Sequence, residues 1–257
     1  MRTIKKVASH IFIDGFGGMT QGLFATLIIG TMIQQIGLLI GGSTGNVIYL
    51  LGKAAAALTS AGIGVGVAVK YGESPLVTVS AAVAAMVGGY AGKITGGTFF
   101  VDGNAVLAGP GEPLGAFIAA FAGITCGHLV SGKTKVDIIV TPVITIGAGS
   151  VVGLLVGPPI SQMMTGLGSI INWATEQRPF IMGIVVSVVM GMVLTLPISS
   201  AALGIILNLS GLAAGAATIG CCCNMVGFAV ASYRENKFGG LVAQGLGTSM
   251  LQVPNIM

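Results

Sequence analysis

Charge is nearly missing from this sequence. Of 257 residues only 7% are Asp, Glu, Lys or Arg, against about 25% in soluble domains. Acidic groups number 7 and histidines 2, which leaves little for acid–base or metal chemistry. No HExxH and no paired histidines occur, so no catalytic residues, no metal site and no cofactor are expected and the chain does not read as an enzyme. The 4 cysteines, Cys126 and the run Cys221–Cys223, lie in apolar segments without a CxxC spacing. They read as small packing residues rather than as a disulfide or redox set. Basic residues are scattered, with no basic run interleaved with aromatics, which excludes nucleic acid as a partner.

One motif is excluded by its context. Gly127 to Thr134 spells G-H-L-V-S-G-K-T and formally satisfies the phosphate-loop expression. A phosphate loop needs a strand before it and a helix after it in an α/β sheet, whereas here an apolar helix precedes it. Lys133 and Lys135 read instead as topology signals on the cytoplasmic side, and His128 as a helix-end packing residue.

What the sequence has is apolar length and glycine. Hydrophobic residues make up 54%, mean hydropathy is +0.97, and there are 43 glycines without a G-x-y period. These features predict an all-α integral membrane protein, a polytopic bundle of about 6–8 transmembrane helices by our count, packed closely through small residues. Lipid is therefore one partner. Arg2, Lys5 and Lys6 place the amino end on the cytoplasmic side of the cell membrane.

In order, Phe16–Ile40 reads as a first span whose Gln21, Gln34 and Gln35 face protein or water. Gly41–Asn46 reads as a turn, and Val47–Val69 as a second span, with Lys53 snorkelling to the interface. Lys70–Glu73 is a return before a short third span, Leu76–Ala91. Lys93–Leu107 mixes turn formers with apolar residues and reads as a re-entrant or interfacial element. Leu114–Val130 and Asp137–Val156 are further spans, the second carrying Gly149 and Gly153 at GxxxG spacing and stopped by Gly157-Pro158-Pro159. Ile160–Arg178, with Trp173, suits an interfacial helix. Phe180–Leu196 is a span broken by Pro197, and Gly211–Ser232 a span with Gly211 and Gly215 at GxxxG spacing. Tyr233–Lys237 is expected to be a charged loop and Phe238–Met257 another re-entrant element.

The segment that organises the rest is Gly109-Pro-Gly-Glu-Pro-Leu-Gly-Ala-Phe117. Its glycines and prolines interrupt the helix, leaving backbone groups that hydrocarbon tolerates only beside protein or a water-filled cavity. Pro113 suits the first turn of a new helix, so free N–H groups and a positive dipole end accompany Glu112. Pro197 followed by Ser199 and Ser200 makes a second break of the same kind, and paired breaks point to a transporter binding site. The candidate solute-binding residues are therefore Glu112, Asp102, Asn104, Ser199, Ser200 and Asn224.

Leu194-Thr-Leu-Pro-Ile-Ser-Ser-Ala-Ala202, Gly211-Leu-Ala-Ala-Gly-Ala-Ala217 and Gly245-Leu-Gly-Thr-Ser-Met-Leu-Gln-Val-Pro-Asn255 give the chain a family likeness. It resembles the phosphotransferase-system IIC-like membrane proteins, the perfringolysin O regulator group among them. The resemblance covers nearly all of residues 1–257 as one membrane domain, with re-entrant elements near 94–113, 197–210 and 238–257. It implies a sugar-transporting IIC subunit that binds a sugar or sugar acid between opposed hairpins and moves it by an elevator-like shift against a dimerising scaffold. A homodimer and separate IIA and IIB proteins would be its protein partners. Other IIC groups place a glutamate in Gly-Ile-Thr-Glu-Pro, and Gly111-Glu112-Pro113 matches the end of that motif. The resemblance also implies a chain that stops short of the family's carboxyl end. The alternative is a membrane-embedded regulator or sensor without transport activity.

Overall fold

In the computed structural model, residues 14–101, 103–107, 109–195, 204, 207 and 209–247 are described. The chain divides into two compact units, Met1–Gln162 and Met163–Met257. They are treated one at a time.

The first unit opens with α1 (Phe16–Leu23), a π-helical segment (Phe24–Ile28) and α2 (Ile29–Ile40), which together form one 25-residue apolar span as expected. The expected turn contracts to Gly41, because the positive φ of Gly41 and Gly42 (66° and 63°) reverses the chain at once. The expected straight span Val47–Val69 is not found. In its place α3 (Gly42–Ala57) and α4 (Thr59–Lys70) meet at 52°. Leu58, between them, has φ −86° and ψ 9°, and its N–H donates to Ala55 O at 3.2 Å, so the last turn tightens and the helix is re-aimed.

α5 (Pro75–Gly89) begins where the sequence provides a start: Pro75 fills the first helical position and the Ser74 hydroxyl accepts from Val77 N–H. After α6 (Ala91–Thr95) comes a hairpin of two 2-residue strands, β1 (Phe100–Val101) and β2 (Asn104–Ala105). This is the stretch whose turn formers departed from helical pattern.

α7 (Pro113–Val130) and α8 (Asp137–Gln177) follow, linked by a turn in which Gly132 N–H donates to the Asp137 carboxylate at 2.9 Å. The phosphate-loop-like string is thus the end of one helix and the turn to the next, as its context required. His128 does more than pack, because its Nδ1 pairs with the Glu73 carboxylate at 3.0 Å.

The expected stop at Gly157-Pro158-Pro159 does not occur, and α8 runs through it. Two prolines remove two ladder bonds, but a full break would orphan about four groups at each new end, which is costlier in an apolar setting. Gly149 and Gly153 form the expected close-contact face. A methyl group on Gly149 would stand 2.6 Å from Ala119 O, and one on Gly153 2.8 Å from Gly88 Cα. The core of this unit lies where α1, α4, α5 and α7 meet, around Ile63, Val67, Val77, Ala84 and Ile124.

In the second unit, α9 (Pro179–Val193) packs on α10 (Gly211–Ala231) around Val186, Met190 and Ala217. Among the described residues nothing lies within 4 Å of a methyl group placed on Gly211 or Gly215, so this second GxxxG pair makes no close helix contact with them. The two glycines instead line an apolar cavity of about 510 Å³ with Phe180, Gly183 and Ile184. Of the expected loop Tyr233–Lys237, Tyr233–Asn236 is helical. It begins α11 (Tyr233–Val242), whose break falls at Lys237, with φ 52°.

Four described helices are long and apolar enough to cross a membrane, five if the bent α3–α4 pair counts as one span. α5 and α9 are apolar but have 15 residues each, about 22 Å against a hydrocarbon thickness of roughly 30 Å. The architecture is the all-α membrane bundle that composition called for.

Candidate functional site

Three interruptions of helix come together in the first unit. One is the bend at Leu58, the second is the carboxyl end of α5 at Gly89 and Tyr90, and the third is the loop Gly109–Glu112 that precedes α7. The backbone groups of the loop are answered by the other two. Tyr90, 1% exposed, donates its hydroxyl to Gly109 O, and the same oxygen lies 3.3 Å from Ala57 O at the bend. Ser60, in the first turn of α4, donates to Pro110 O at 3.0 Å. The Glu112 N–H donates to Gly89 O at 2.7 Å, so it satisfies a terminal carbonyl of α5.

The Glu112 side chain turns the other way. Its two carboxylate oxygens accept from Leu114 N–H, at 3.0 Å, and from Gly115 N–H, while its own C=O accepts from Ala116 N–H at 3.0 Å. Glu112 is thus the N-cap of α7, a half-buried carboxylate held by two amides at the positive end of an apolar helix. Such a group can accept further hydrogen bonds through its remaining lone pairs.

Space at the junction is set by glycine. Gly109 and Gly111 have φ of 80° and 75°, a region that disfavours any side chain. A methyl group on either Gly89 or Gly111 would collide with Ser60 Oγ. The serine hydroxyl therefore fills a slot between two glycines. Below this level, Phe117 stacks on Phe16 at 4.9 Å. Tyr71 comes close to Gly15, and burial, with Asp14 beside it, pushes its phenol up to about 12.

The family model described as "Phosphotransferase system, EIIC" matches residues 13–257. The chain belongs to this family. No curated protein and no solved structure matches it. It is a membrane component of a phosphotransferase-type transporter, and the resemblance seen in its three motifs stands at the level of the family.

Within this EIIC chain the candidate residues are distributed unevenly. Glu112 lies at the junction. Asn104 lies exposed in β2 of the hairpin. Asn224 is half-buried on α10 in the second unit, lining a cavity of about 310 Å³ with Gly227, Phe228 and Ala231. Asp102, Ser199 and Ser200 lie outside the described residues, as does most of the 197–210 element with Pro197. Sequence reasoning missed Tyr90 and Ser60. The signal for Tyr90 was its place after Gly88-Gly89 at the end of an apolar run, where a tyrosine's hydroxyl can reach an orphaned carbonyl. Ser60 carried no signal of its own.

Proposed function

We propose that this EIIC chain carries a sugar or sugar-like solute, such as a sugar acid, across the cytoplasmic membrane, with Glu112 accepting hydrogen bonds from solute hydroxyls. The observation that supports this reading is the placement of Glu112: a carboxylate anchored on two amides at the start of an apolar helix, in a loop whose own backbone is satisfied by Tyr90, Ser60 and Gly89. A carboxylate so held is oriented before the solute arrives, which favours binding. Asp102, Asn104, Ser199, Ser200 and Asn224 are the further polar groups of the proposed site. The amino end is cytoplasmic, the subunits pair as a homodimer, separate IIA and IIB proteins supply phosphate, and one part of the protein shifts against a scaffold in an elevator-like step.

A thermal-shift screen of the purified protein in detergent against sugars and sugar acids tests the reading, because a ligand specific for the native state raises its stability. One class of sugar should shift the unfolding temperature, and Glu112→Gln should remove that shift. Binding that survives Glu112→Gln unchanged removes Glu112 from the site. A folded protein that none of the panel stabilises overturns the solute reading and leaves the regulator or sensor as the better account.

A further inference from the structure

The side-chain hydrogen bonds of Tyr90 and Ser60 all end on the loop that carries Glu112 or on the bend beside it. Tyr90 keeps its ring in place independently of its hydroxyl: Phe99 packs on it with centroids 5.4 Å apart, and Lys93 Nζ stands 5.3 Å from the ring centre. The hydroxyl is therefore a probe on a fixed arm. It has one proton and two carbonyl oxygens within reach, Gly109 O in the loop and Ala57 O at the bend. Ser60, three residues after Ala57, adds the bond to Pro110 O. Pro110 has no N–H to anchor the loop and Gly109 and Gly111 have the most permissive backbones available, so these bonds, with that of Glu112 N–H to Gly89 O, hold the loop to its present course.

We propose that Tyr90 and Ser60 are positioning residues for Glu112: by pinning the Gly109 and Pro110 carbonyls to the α3–α4 bend, they fix the depth and direction at which Glu112 caps α7. The functional meaning rests on the reading of Glu112 as a solute ligand, but the geometry is testable without any solute. The Tyr90 hydroxyl also has a second acceptor if the loop lifts, since rotation towards Ala57 O keeps the buried phenol paired. Lifting the loop then leaves no buried donor unsatisfied at Tyr90.

The test uses the full chain in detergent or nanodiscs, with Tyr90→Phe and Ser60→Ala made separately. Hydrogen exchange is followed in the 112–116 segment and in α4 and α5, and the Glu112 carboxylate stretching band is followed by infrared spectroscopy, assigned by its loss in Glu112→Gln. Each variant should speed exchange at the capped amides Leu114 and Gly115 by about 10-fold, the effect of one lost hydrogen bond. The carboxylate band should move in both, while α4 and α5 exchange as in the parent protein. Unchanged exchange and an unmoved band in folded variants overturn the proposal. Uniformly faster exchange across the whole unit does so as well, because that marks a general packing role. Tyr90→Phe keeps the ring packing and Ser60→Ala removes one oxygen, so the two fail to fold for different reasons if either does. Failure of Glu112→Gln to alter solute binding sinks the ligand reading and leaves these geometric readouts standing.

Discussion

The Glu112 amide donates to the Gly89 carbonyl at 2.7 Å while the Glu112 carboxylate accepts from the amides of α7. One residue thus closes the carboxyl end of one helix and the amino end of another. In water such ends are satisfied by solvent; in an apolar bundle they must satisfy each other.

Gly111 should tolerate no side chain. Gly111→Ala places a methyl group at φ 75° and against Ser60 Oγ, which should cost about 2 kcal/mol, with backbone strain as the larger part. Adding Ser60→Ala relieves the collision but not the strain. The double variant should therefore be more stable than the sum of the two single effects, by about 0.5–1 kcal/mol. Denaturant titration of the detergent-solubilised protein reads both quantities, and strict additivity would show that the serine does not occupy the slot.

The two GxxxG pairs should behave oppositely. Gly149→Leu drives a side chain into Ala119 O and Ala84 Cβ, each 2.6 Å from the first added carbon, and should destabilise the first unit by about 3 kcal/mol or prevent folding. Gly215→Leu points into the open space of the apolar cavity and should change the unfolding temperature by no more than a few degrees. Equal losses in the two variants would contradict the packing described.

Tyr71 should be a late-titrating phenol. Its pKa is raised from 10.0 to about 12, first by burial and then by Asp14. The folded state holds this proton after the unfolded state has released it, so the contribution of Tyr71 to stability is complete below pH 10 and falls as pH rises from 10 to about 12. Ultraviolet titration should lose one phenol near pH 12 in Tyr71→Phe, and the stability of that variant should fall less steeply across this window. Loss of a phenol that titrates near 10 instead would place Tyr71 in water.

The class of fold was legible because hydropathy and glycine content bear directly on membrane insertion and close packing. The break at Gly109–Pro113 was legible too, since proline and glycine act locally. The bend at Leu58 was not: nothing in Ala-Ala-Ala-Ala-Leu-Thr-Ser forbids straight helix, and the partner that Ser60 meets there lies in a loop 50 residues away. Pro158-Pro159 misled in the opposite sense, because a local helix-breaking preference lost to the wider cost of exposing two helix ends. Ser60 shows the general difficulty. Its role is set by Gly89, Pro110 and Gly111, and no spacing on its own helix encodes them.

Gly88 stands where α5, α7 and α8 cross. A methyl group there would strike Gly115 O and Ala119, and its own Cα lies 2.8 Å from where a methyl on Gly153 would be. Mechanically this is a joint without cushions. With nothing larger than the Ala119 methyl group between the three backbones, there are no rotamers to absorb a displacement, so a shift of one helix presses directly on the others. Glu112, one turn from Gly115, is seated at the edge of this tightly packed block.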